Sequence, residues 1–163
     1  MRFAFVALVI LLLSGYAMGQ EFTYNIQWAG YPFDKYDEKG SVTYEKFVKE
    51  FESFPWATQV GKANGGSEAT ISVRDHKSDV VLWVSAAKDN DGYVYLVGVV
   101  YTKERRGFLG LGKPKPVRWV EIYIAQDAAI VEKEFKVFFL GQDKQLFDQL
   151  HQLPKFDEME AKN

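Results

Sequence analysis

Two apolar runs, VVLWVSAA from Val80 and YVYLVGVVYTK from Tyr93, flank the short segment KDNDG from Lys88 to Gly92. Both runs are rich in β-branched and aromatic residues, which fit a pleated surface, and the Asp/Asn/Gly segment is hairpin chemistry. A hairpin this apolar has to be covered, so Asp79 to Lys103 constrains everything else the chain can do. Val80, Leu82, Val84 and Ala86 form one face of the first strand, and Val81, Trp83 and Ser85 the other. In the second, Tyr93, Tyr95, Val97, Val99 and Tyr101 alternate with Val94, Leu96, Gly98 and Val100. Both faces of that strand are apolar, which predicts a central position covered on both sides, at least in part.

Further strands follow from the same two-residue period. Ala69, Ile71 and Val73 alternate with Thr70, Ser72 and Arg74; Val120, Ile122 and Ile124 alternate with Val117, Trp119, Glu121 and Tyr123. Phe22, Tyr24, Ile26 and Trp28 make an N-terminal strand, broken by Gly30-Tyr31-Pro32. Connections this short favour an antiparallel meander, because a parallel crossover needs a dozen or more residues. Asp34 to Gly40 reads as a solvated loop; its Asp34, Asp37 and Glu38 lack the six or more spaced oxygens of a hard-cation site. Helical spacing appears at Tyr44, Phe47, Val48 and Phe51, capped by Ser41 or Thr43 and stopped before Pro55. Ala128, Val131, Phe135 and Phe138 make a second helical stripe, and Leu146, Phe147, Leu150 and Leu153 a third. The expected fold is α+β: an antiparallel sheet of four or five strands with about three helices packed mainly on one face.

The N-terminus reads as an export signal. Met1-Arg2 precedes an unbroken apolar run from Phe3 to Leu13, and Ala17-Met18-Gly19 offers a small-x-small cleavage site. That run is too short for a spanning helix, which needs about 20 residues, so no stable membrane span is expected. Residues 1–19 are thus assigned to a signal peptide, 20–155 to one α+β domain, and 156–163 to a polar tail. The absence of cysteine excludes disulfides, thiol catalysis and Cys-ligated zinc. With no Asn-x-Ser/Thr sequon either, a periplasmic or secreted bacterial protein is the expected setting. A net charge of −2 gives no basic excess of the kind that marks nucleic-acid binding.

No acid/base set stands out. His76 and His151 have no metal-ligand spacing, and no Gly-x-Ser-x-Gly elbow is present. Asp89-Asn90-Asp91-Gly92 lacks the later ligands of a calcium loop. No cofactor or metal is expected. The unusual residues suit recognition instead. Trp83 and Trp119 are assigned, with tyrosines, to one sheet face beside Arg74 and Arg118. Lys103 to Pro116, KERRGFLGLGKPKP, makes a long basic hairpin loop with an apolar tip. Aromatic and arginine side chains are over-represented at binding hot spots. The candidate contacts are Trp83, Trp119, Tyr123 and Arg118, with Arg105, Arg106, Phe108, Leu109, Leu111, Lys113 and Lys115 from the loop.

Phe54-Pro55-Trp56, Thr70-Ile71-Ser72-Val73, Leu82-Trp83-Val84-Ser85, the Lys-Pro-Lys loop and Val117-Arg118-Trp119-Val120-Glu121 resemble a family of small bacterial α+β proteins. The similarity spans roughly Tyr44 to Leu150. Some of its members look like immunity factors that neutralise toxins of neighbouring cells, and the resemblance transfers no functional residue. The sequence thus points to a non-enzymatic exported domain that binds another protein, of inhibitor or immunity type. Two alternatives stand beside it: a small apolar ligand or lipid held between sheet and helices, and a hydrolase using Glu121 or His76.

Overall fold

The computed structural model describes residues 21–90, 92–105 and 113–161. The residues expected to form a signal peptide, together with Arg106, Phe108, Leu109 and Leu111, lie outside them. Eleven elements follow in order: β1 (Phe22–Gln27), β2 (Asp37–Ser41), α1 (Tyr44–Ser53), α2 (Trp56–Gln59), β3 (Thr70–Asp75), β4 (Val81–Asp89), β5 (Gly92–Arg105), β6 (Lys115–Ala125), α3 (Ala128–Phe139), α4 (Asp143–Leu150) and β7 (Lys155–Glu160). The strands form one sheet in the order β2-β1-β3-β4-β5-β6-β7, every pair antiparallel.

Register decides the faces, because successive side chains of a strand point to opposite sides. Ile26 pairs with Ile71, Ile71 with Val84, Val84 with Val97 and Val97 with Tyr123. This row and its parallels, Phe22 and Tyr24, Val73, Leu82 and Val99, are buried. All four helices cover that side. Phe47 of α1 stacks on Phe135 of α3 with ring centroids 3.9 Å apart. Phe51 and Trp56 meet Tyr95 of β5, Phe138 meets Phe22 of β1, and Phe147 of α4 meets Tyr101 of β5. Aromatic pairs of this kind add about 0.5–1.5 kcal/mol each beyond the area they bury.

The helices begin and end on local chemistry. Thr43 caps α1, its hydroxyl accepting from the Lys46 amide at 3.3 Å, and Asp127 caps α3, accepting from the Ile130 amide at 2.9 Å. Both satisfy amides that lack intrahelical acceptors. Phe54, before Pro55, is already extended at ψ 133, as the proline ring demands of its predecessor. Gly141, at φ +65, turns the chain out of α3.

The structure is α+β with one antiparallel sheet, but the described residues form seven strands and four helices rather than four or five and about three. The Asp34–Gly40 loop in fact carries the start of β2, and the polar tail carries β7. Both are edge strands, reading DEKGS and KFDEME. Charged side chains on an edge discourage pairing with another chain, and they also erase the apolar alternation by which strands are recognised in sequence. A second correction concerns β5: among the described residues only its Tyr95–Val99 side is covered.

Candidate functional site

The opposite face of the sheet carries no helix among the described residues. Its centre is apolar: Val81 and Trp83 of β4, Val94, Leu96 and Val100 of β5, and Val120, Ile122 and Ile124 of β6 all remain partly exposed. Met159 of β7, paired with Val120, extends the row. Towards β1 and β3 the face turns polar, with Thr23, Asn25, Gln27, Thr70 and Ser72. Trp83 lies flat across Gly98, its partner on β5. A Cβ at Gly98 would fall inside the indole ring, so this glycine is what lets the tryptophan lie down as part of a smooth surface.

One end of this face is cationic. Arg74 donates to the Asp79 carboxylate at 2.7 and 3.1 Å. Arg118 donates to the same carboxylate at 3.1 Å, to the Asp79 carbonyl at 2.8 Å and to the Thr102 hydroxyl at 3.2 Å. Asp79 holds this geometry at φ +58, a left-handed conformation that aspartate tolerates better than most residues. Arg105, paired with Glu160 at 2.8 Å, and Lys115 opposite it on β6 lie at the same end of the sheet but on the Trp119 side, and Lys113 is exposed just before β6.

The sequence pattern predicts both tryptophans on one face; the register separates them. Trp83, Arg74 and Arg118 lie on the uncovered face. Trp119 and Tyr123 share the helix-covered side with Glu121. Residues 118 and 119 must point opposite ways in a strand, so Arg118 and Trp119 never belonged together. The Lys103 ammonium sits 3.3 Å over the Trp119 ring. Tyr123 is 1% exposed and offers no contact surface.

Tyr123 instead belongs to a polar cluster that sequence spacing did not reveal. Glu121, almost fully buried, accepts from the Tyr123 hydroxyl at 2.6 Å and the Tyr101 hydroxyl at 3.2 Å. His151 Nε2 is 3.3 Å away and Lys155 Nζ 3.7 Å. Burial pushes the Glu121 carboxyl up, but Tyr123, Lys155, His151 and Tyr101 outweigh it, and the group ends below its ordinary value. Burial, then Glu121, pushes Tyr101 up to about 12; burial and its bond to Glu121 raise Tyr123 further. A carboxylate so saturated with donors is a poor base. His76 is on another part of the molecule, hydrogen-bonded to Thr23 at 2.8 Å beyond the end of β3. Glu121 and His76 are therefore not brought together, and among the described residues no group of three His, Cys, Asp or Glu is placed to hold a metal.

The space between sheet and helices is filled by aromatic rings. A cleft of about 920 Å³ opens instead at the rim, floored by Phe22, Val42, Tyr44 and Phe139, with His76, Lys77 and Lys136 around it. At the far end of β1, the connection to β2 holds Phe33 at 78% and Tyr36 at 49% exposure. Neither was singled out in the sequence, where Pro32-Phe33 inside an otherwise polar loop was the available signal. No protein-family model matches the chain, and no curated protein or solved structure does so either.

Proposed function

We propose that this is an exported, non-enzymatic protein-binding domain of inhibitor or immunity type, and that the uncovered sheet face is its contact surface. One observation carries the reading: the apolar row from Val81 to Ile124 stays at the surface, opposite the face that takes every helix. Contiguous apolar surface of this kind marks interaction sites on proteins otherwise covered by polar groups. Arg74 and Arg118, which share the one Asp79 carboxylate, border one end, which suits a folded partner whose own apolar patch is edged by carboxylates. Charges at such a rim steer encounter more than they add affinity.

The experiment compares the tagged chain with Val100→Asp and Ile122→Asp, in binding to proteins extracted from the envelope and medium of its native cells. A partner held by the parent chain should be lost at least ten-fold by either variant, with far-UV spectra and melting unchanged. Retention of the same proteins by all three chains rejects the face. The immunity reading adds that cells lacking the protein lose in mixed culture to unmodified neighbours.

The rim cleft favours a second reading, a small apolar ligand held by Phe22, Val42, Tyr44 and Phe139. Native mass spectrometry of the purified chain separates the two: a co-purifying small molecule, displaced by Val42→Arg, supports the cleft.

A further inference from the structure

Among the described residues Phe33 is the most exposed large hydrophobic side chain, yet the backbone beneath it is tied down at many points. The Gln27 side-chain NH2 shares its two hydrogens among the carbonyls of Pro32, Phe33 and Lys35, at 3.3, 3.2 and 3.1 Å. Trp28 donates its indole N–H to Asp37 at 3.0 Å while its ring stacks on Phe54. Gly30 and Tyr31 exchange backbone bonds with Ser67, each 2.9 Å, and the Ser67 hydroxyl adds a third to the Tyr31 carbonyl. Gly66 lies so close that a Cβ would press on the Tyr31 carbonyl and the Gly30 backbone. Lys35 closes the turn onto Pro32 and places its ammonium 4.1 Å over the Tyr31 ring.

A loop with no role beyond connection does not need this bracing, and a loop braced for stability would turn its phenylalanine inward. This one is fixed from below and holds Phe33 and Tyr36 out to water. Ordering costs on binding are lowest where the contact is already rigid, and aromatic residues are enriched in the cores of protein interfaces. We propose that the β1–β2 connection is a preorganised anchor that inserts Phe33, flanked by Tyr36, into an apolar pocket on a partner protein. Asp34, Asp37 and Glu38 against Lys35 and Lys39 leave the loop without the cluster of basic residues that an anionic lipid surface attracts, which argues for a protein. The anchor does not rest on the uncovered sheet face, and Val100→Asp leaves it intact.

The test places p-benzoylphenylalanine at position 33 of the full chain in its native cells, with the same probe at exposed Lys144 as the control. Illumination should give one discrete protein adduct from position 33 and none from position 144. Gln27→Ala, which releases the three carbonyls, should reduce that adduct at least ten-fold. With the adduct protein identified and purified, Phe33→Ala should weaken Kd at least ten-fold while melting stays unchanged. In the free protein the amides of residues 33–36 should be as rigid on the nanosecond scale as those of β1. An adduct only with phospholipid or a second copy of the chain, no adduct above the control, equal affinity of Phe33→Ala, or a mobile loop in the free protein would each overturn the anchor. Crosslinking that survives Val100→Asp separates the anchor from the face, so either can fail alone.

Discussion

Two buried carboxyls at the residue scale pull stability in opposite directions with pH. Glu134 occupies a core position of α3, between Val131 and Phe138, and one of its oxygens is buried with no partner. Burial holds its carboxyl above the usual value against a small opposing pull from Lys133. The folded state therefore keeps a proton that the unfolded chain releases near pH 4.5, and Glu134 makes stability fall as pH rises from there through the raised value. Glu134→Leu should remove that fall and stabilise the protein by about 1–3 kcal/mol at pH 8, read from urea melts at pH 5 and pH 8. An unchanged difference between the two pH values would show that Glu134 is not responsible. Glu121 has the opposite sign. Its folded value is depressed, so its contribution is complete above pH 4.5 and disappears as pH falls through the folded value. Tyr123→Phe deletes the 2.6 Å bond to it and should cost about 1.5–3 kcal/mol at pH 7, the range for hydrogen bonds to charged groups. The loss should shrink as pH falls through the depressed folded value of Glu121, where the carboxylate takes up its proton.

The two edge strands do different work at the scale of elements. β2 is short and almost wholly exposed, whereas β7 closes the side of β6 over the Trp119–Tyr123 register and brings Lys155 to Glu121. Truncation after Pro154 should therefore expose the N–H and C=O row of β6 beside Val120 and Ile122. The expected result is soluble aggregate on size exclusion and a lowered melting temperature. A monomer of parental stability would mean that β7 is only an appendage. Gly98 links two elements by having no side chain: Gly98→Ala should lift the Trp83 indole off β5. The change is read as a red shift of tryptophan emission together with a loss of about 1–3 kcal/mol from the enforced shift.

At the scale of the whole molecule, the described residues place four helices on one side of a seven-stranded sheet, two layers where three would have been closed. Cleavage of the proposed export signal is a prediction about the whole protein. Its N-terminus, read by mass spectrometry from the cell envelope or medium, should be Gln20; an intact Met1 in the same fraction would reject cleavage. Much of the architecture was legible in residue order alone. The alternation in Ile71–Val73, Val80–Ala86, Tyr93–Tyr101 and Val117–Ile124 named the central strands, and the stripes through Phe47, Phe135 and Leu146 named the helices that cover them. Local period and capping are properties of neighbouring residues, so they survive in the sequence. Three matters were settled only in three dimensions. Charged edges hid β2 and β7, because an edge strand buries too little to show a pattern. Pairing register, which depends on partners far along the chain, sent Trp83 and Trp119 to opposite faces. And the meeting of Glu121 with His151 and Lys155, like the bracing of Phe33 by Gln27 and Ser67, joins residues whose separation no spacing rule reaches, because those contacts exist only after the sheet has closed.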